Sequence, residues 1–123
     1  MKYLKTFESI YESPYVIELK DMALELTDLG FTVQVFKDQE KYDKNVLVVI
    51  THPNGFTMID DVKDFILRAI GYMNDNEFQS KIHSNFGTVY QAQDGRLFVT
   101  GHTLGKKFPS LSMINLIFTK WNI

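Results

Sequence analysis

A chain of 123 residues, 45% apolar and carrying 10 Phe, 6 Tyr and 1 Trp, supports one folded domain with a core and is too short for two ordinary ones. The lack of cysteine excludes disulfides, thiolate metal sites and cysteine nucleophiles at once. A net charge of -2 excludes a global attraction to nucleic acid, yet residues 1–75 hold 8 Lys/Arg against 13 Asp/Glu and residues 76–123 hold 5 against 2, which permits a basic surface on the C-terminal half.

The opening segment MKYLKTFESIYE places Leu4, Phe7, Ile10 and Tyr11 at helical spacing, as a short amphipathic helix packed on the domain would. Ser13-Pro14 reads as an N-cap followed by proline at the first helical position, so the chain divides into a docking segment, 1–12, and a single domain, 13–123. Val16, Leu19, Met22, Ala23, Leu26 and Leu29 recur at spacings of three and four, with Gly30 as the stop. Phe31 to Lys37 alternates as a half-buried strand does, Asp38 to Val46 is polar enough for an exposed hairpin loop, and Leu47 to Ile50 reads as a central strand.

Thr57 to Asp60 has the spacing of a capping box. Val62, Phe65, Ile66, Ala69, Ile70 and Met73 then predict a second amphipathic helix ending near Asn74-Asp75-Asn76. Thr88 to Gln93 and Arg96 to Thr100 flank Asp94-Gly95, the signal of a type I′ hairpin. Ile114, Leu116 and Phe118 alternate in a last strand. The predicted fold is α+β: a two-layer sandwich with two main helices on one face of an antiparallel sheet of about five strands, and a short N-terminal helix. The order also matches a ferredoxin-like fold whose first strand has been moved to the end.

His52, His83 and His102 are the only side chains whose ordinary titration falls near neutral pH, and none pairs with another at metal-binding spacing. No metal or cofactor is therefore expected, and a small enzyme using His52 or His102 is one alternative reading. Neither His52-Pro53-Asn54 nor His102-Thr103-Leu104 fits the paired His-x-Thr motifs of histidine phosphoesterases. Asp60, Asp61 and Asp64 suit the first turn of a helix without a cation. In GHTLGKK, Gly101 and Gly105 are one residue too close for a Walker loop, Lys107 replaces the hydroxyl residue, and Pro109 opposes a following helix.

The candidate binding residues are Arg96, His102, Lys106 and Lys107, joined by Lys81 and Lys120 and with Phe86, Tyr90, Phe108 and Trp121 nearby in sequence. Basic residues interleaved with aromatics suit a single-stranded nucleic-acid-binding module, although alternation assigns most of these aromatics to the core and the Lys/Arg-Gly-Phe-x-Phe signature is lacking. The polar-alternating first or last strand offers a sheet edge for a homodimer. No apolar run approaches the roughly 18 residues of a membrane span, and the first residues lack the apolar stretch of a secretory signal, so no membrane partner is expected.

MKYLKTFESIYE resembles the N-terminal capsid-targeting peptides of internal head proteins in large contractile-tailed bacteriophages, and Ile10-Tyr11-Glu12 is similar to their Leu/Ile-x-Glu prohead-protease site. From LELTDLGFTV onward the chain also resembles uncharacterised small proteins of such phages. The resemblance implies processing after Glu12 with Ile10 as recognition residue, and residence in the host cytoplasm and virion head. With no catalytic constellation in the sequence, the leading expectation is a non-enzymatic phage protein that acts by binding a protein or nucleic-acid partner.

Overall fold

A computed structural model describes residues 13–37, 45–99, 102–105 (His102 by its backbone alone) and 110–121. The segment 1–12, including the processing residues Ile10 and Glu12, lies outside the described residues, as do Lys106 and Lys107.

Ser13 caps helix α1 (Pro14–Met22): its buried hydroxyl oxygen accepts the N–H groups of Tyr15 at 3.2 Å and Val16 at 3.5 Å. The single helix expected up to Gly30 is broken at Ala23, after which α2 (Leu24–Asp28) resumes. The Ala23 carbonyl accepts from Leu26 N, Thr27 N and the Thr27 hydroxyl, and such back-bonding by a threonine tightens and bends a helix. Leu29, expected on the buried stripe, falls past the end of α2 and is exposed.

Strands β1 (Thr32–Lys37) and β2 (Asn45–Phe56) pair antiparallel, Thr32 opposite Thr51 and Lys37 opposite Val46. Asn45 and Val46, expected in the loop, already belong to β2. His52 to Gly55, expected beyond the strand, lie within it where its register against the last strand shifts. Pro53 has no N–H for the ladder, and Gly55 takes φ 74° with its Cα so close to the Leu111 carbonyl that an added Cβ would lie 3.1 Å from that oxygen.

Helix α3 (Asp60–Asp75) buries all six residues assigned to its apolar stripe. Its N-cap is Ile59, with no side-chain hydrogen bond, so the expected Thr57 capping box is not used. Asp60 and Asp61 in the first turn face the positive end of the helix instead.

Strands β3 (Phe78–Ser84), β4 (Gly87–Gln91), β5 (Leu97–Val99), β6 (His102–Thr103) and β7 (Leu111–Lys120) complete an antiparallel sheet of order β1-β2-β7-β3-β4-β5-β6. The first four places, β1-β2-β7-β3, are the order a ferredoxin-like sheet takes when its first strand is moved to the end, with the β4-β5-β6 meander added at one side. β3 and β6 were not among the expected strands. The β4–β5 connection is not type I′ either: Gly95 alone has positive φ (88°), and Gly95 N donates to Ala92 O, as in a type I turn followed by a left-handed glycine.

The last strand is central rather than an edge, because β7 pairs with both β2 and β3. Val46, Val48 and Ile50 meet Phe118, Leu116 and Ile114 on one face, and the helices cover that face with Leu19, Leu26, Phe65, Ile66 and Met73. Arg68 of α3 pairs with Glu25 of α2 across the exposed side of the helix layer.

Candidate nucleic-acid interface

Side chains alternate across a strand, so a sheet covered by helices on one face presents the intervening residues on the other. By register, that outer face carries Thr32, Gln34 and Phe36 of β1, Leu47 and Val49 of β2, and Met113, Asn115 and Ile117 of β7. It continues through Gln79, Lys81 and His83 of β3, Thr88 and Tyr90 of β4, and Phe98 of β5. No described helix packs on it.

The two layers differ in charge. Among the described residues, Glu18, Asp21, Glu25 and Asp28 lie on α1 and α2, Asp60, Asp61, Asp64 and Asp75 on α3, and Glu77 and Asp94 in turns; no outward-facing strand residue is a carboxylate. The helix layer therefore repels polyanions, and the sheet face, with Lys81 exposed, does not.

Tyr90 and Phe98 are direct cross-strand partners whose rings stack at 5.7 Å between centroids with planes 30° apart. Tyr90 is 55% exposed, so the pair presents an aromatic surface to solvent. Beside it the sheet splits. β3 and β4 pair only from Ser84↔Gly87 to Ile82↔Val89, and the ladder stops where Lys81 would next meet Tyr90 and Ser80 would meet Gln91. Ala92 N donates to Arg96 O, so the alternation of the ladder turns Gln91's main-chain groups away from β5, toward Ser80. The resulting cleft of about 420 Å³ has Ile70 of α3 at its base and Lys81, His83, Thr88 and Tyr90 on its banks.

Asn115 lies at the middle of the outer face, between Val49 and His83. Its Oδ1 is buried with no hydrogen-bond partner. A buried unmatched acceptor costs on the order of 1–3 kcal/mol. We expect Asn115→Val to raise stability by about 1 kcal/mol, seen as a melting temperature a few degrees higher in a thermal denaturation scan. A lower melting temperature would show that Asn115 has a stabilising role the structure does not reveal.

The residues singled out from the sequence are only partly brought together. Arg96 follows the β4–β5 turn and closes on Asp94: its main-chain N–H donates to Oδ1 at 3.1 Å and Nε lies 2.7 Å from Oδ2. These contacts, the main-chain bond foremost, hold the Asp94 carboxyl below its usual range. This bracing is complete above the ordinary value of 3.8 and is lost as pH falls through the lower folded value.

His102 pairs through its backbone with Val99, and its side chain lies outside the described residues, as does Phe108. Lys81 is on the outer face. Lys120 is not: its ammonium sits over the rings of Phe78 (4.8 Å) and Tyr15 (5.1 Å) and donates to Tyr15 Oη. Alternation assigns most of the nearby aromatics to the core, yet Phe86, Tyr90 and Trp121 are all exposed.

His52 has a structural setting. Its ring packs edge-on against Phe31 at 5.0 Å, and Nδ1 accepts from Asn54 N. Among the described residues no group of three His, Asp or Glu converges as a metal site, and His83 is the only histidine lining the cleft, without a carboxylate beside it. No described helix is long and apolar enough to cross a membrane.

Phe98 and the cleft itself were missed in the sequence, which marks His83 only as a titrating side chain and not as part of a binding face. In FQSKIHS the apolar residues Phe78 and Ile82 stand on the face opposite Gln79, Lys81 and His83, but Ser80 between them breaks the apolar alternation that would have marked the strand. Searches against protein-family models, curated proteins and solved structures find no match for the chain.

Proposed function

We propose that the protein is a non-enzymatic binding module whose open sheet face takes single-stranded nucleic acid. The observation that carries this reading is the stacked Tyr90–Phe98 pair, half in solvent and bordered by Lys81, on a face whose described strand residues include no carboxylate. Bases stack on exposed aromatic rings regardless of sequence, and a nearby lysine meets the phosphates. The cleft between β3 and β4 adds main-chain groups of Ser80 and Gln91 that the β3–β4 ladder does not pair. Fluorescence anisotropy of a labelled oligothymidylate tests it: binding that weakens with added salt is expected, and no binding at low salt would refute it.

The similarity of Met1 to Glu12 to capsid-targeting peptides supports a place for this module in a phage head, where packaged nucleic acid is at hand. A cut after Glu12 would leave Ser13, and with it the cap of α1, at the start of the mature chain. Mass spectrometry of purified virions should find the protein with Ser13 as its first residue. A packaged chain that still begins at Met1 would remove the processing site from the account.

A further inference from the structure

We propose that the protein forms a two-fold homodimer through strand β1, with the dyad at Gln34. The sheet has two edges, the two-residue β6 and the six-residue β1. A long edge is normally guarded by proline, a bulge or an inward-pointing charge, and Thr32 to Phe36 have none of these. Among the described residues, the backbone of Thr32 to Phe36 makes no hydrogen bond outside the β1–β2 ladder.

The polarity of the edge follows from the ladder. Carried across the sheet through the β3, β7 and β2 registers, the alternation set by Ala92 and Arg96 turns the main-chain groups of Thr32, Gln34 and Phe36 toward β2 and those of Val33 and Val35 outward. A second copy placed antiparallel about Gln34 sets Val33 opposite Val35 of that copy and Val35 opposite its Val33, so every outward N–H and C=O of these two residues finds a partner. The same register puts Phe36, 49% exposed, against Thr32 of the second copy on the outer face, and packs β-branched valines together on the helix side.

The two helices that contact β1 also carry exposed apolar side chains. Of the seven large hydrophobic side chains exposed among the described residues, Ile17, Leu24, Leu29 and Phe36 belong to α1, α2, β1 or the turn leading into β1. A second copy presents the same residues in reversed order, so the Phe36–Thr32 and Val33–Val35 contacts each form twice about the dyad, and self-pairing is the occupant assigned to this edge. Because the dyad runs perpendicular to the sheet, the two outer faces point the same way.

The Gln34 side chains sit directly opposite one another in this dimer, where like charges repel. Gln34 is exposed, so substitution there leaves the fold intact. In sedimentation velocity over micromolar concentrations the wild type should run as a dimer, Gln34→Glu and Gln34→Lys should each self-associate roughly fivefold more weakly, and an equimolar mixture of the two should regain the dimer. Val35→Pro, tolerated at an edge whose N–H faces outward, should abolish the dimer while keeping the wild-type circular dichroism. A wild-type chain that stays monomeric throughout this range, or charge variants whose mixture fails to recover the dimer, would overturn the proposal and leave the edge to a different protein's strand.

Discussion

Phe118→Ala should lower the stability of the domain by about 3–5 kcal/mol, a large share of the roughly 5–15 kcal/mol that holds a domain of this size together. Phe118 is fully buried in the central strand, between Val46 on one side and Ser80 on the other. The small serine opposite gives the ring its room, and the helix layer closes over it. Truncation leaves a cavity that neither neighbour fills, because Val46 is held in the β2 ladder and Ser80 is too short to reach across. Chemical denaturation with the slope unchanged and the midpoint sharply lowered would confirm this. A loss below about 1 kcal/mol would mean that the core relaxes around the site far more than close packing allows.

Tyr90→Ala should weaken oligonucleotide binding by roughly 5- to 150-fold, the range expected when one base loses its aromatic platform at about 1–3 kcal/mol. The ring is about half in solvent and otherwise rests on Phe98, so its removal should cost no more than about 1 kcal/mol of stability, and the two readouts separate binding from folding. Tyr90→Phe should bind close to wild type, since stacking uses the ring rather than the hydroxyl. Lys81→Ala is a useful companion: it should weaken binding evenly across sequences and reduce the salt slope by about 0.7, the signature of one lost phosphate contact on a single strand. Equal binding by Tyr90→Ala and wild type would dismiss the stack as the platform.

The sequence made some of this architecture legible and hid the rest for identifiable physical reasons. The apolar stripe of α3 was readable at every position because six residues of one helix face share one fate, and no tertiary contact competes with that periodicity. Ser13-Pro14 marked the start of α1 correctly because a cap is a local event. β3 was not legible: Ser80 occupies a core-facing position opposite Phe118, so the alternation that marks a strand is interrupted by a small polar residue whose place only the partner strand explains. The same non-local dependence put β7 at the centre of the sheet, since strand order is set by which edges meet and not by position in the chain.

The candidate site shows this more sharply. Basic and aromatic residues near Arg96 and Tyr90 were visible in sequence, but Lys120 went to the helix side over two aromatic rings, and Arg96 was claimed by Asp94 in the same turn. Charge segregation could not be read from linear counts, because helices and strands alternate along the chain while their outer surfaces lie on opposite sides of the molecule. The cleft depends on where a ladder stops pairing, which no residue type between Ser80 and Gln91 announces.

The central claim is that the sheet face opposite the helices is the binding surface. It is tested most directly by nuclear magnetic resonance of the isotope-labelled chain titrated with an oligothymidylate of about ten nucleotides, within the site sizes of sheet-based single-strand binders. The account predicts that the amide signals of Lys81, His83, Thr88, Tyr90, Gln91 and Phe98 move together with added oligonucleotide while those along α1 and α3 stay in place. Shifts confined to the helices, or none at all, would contradict it.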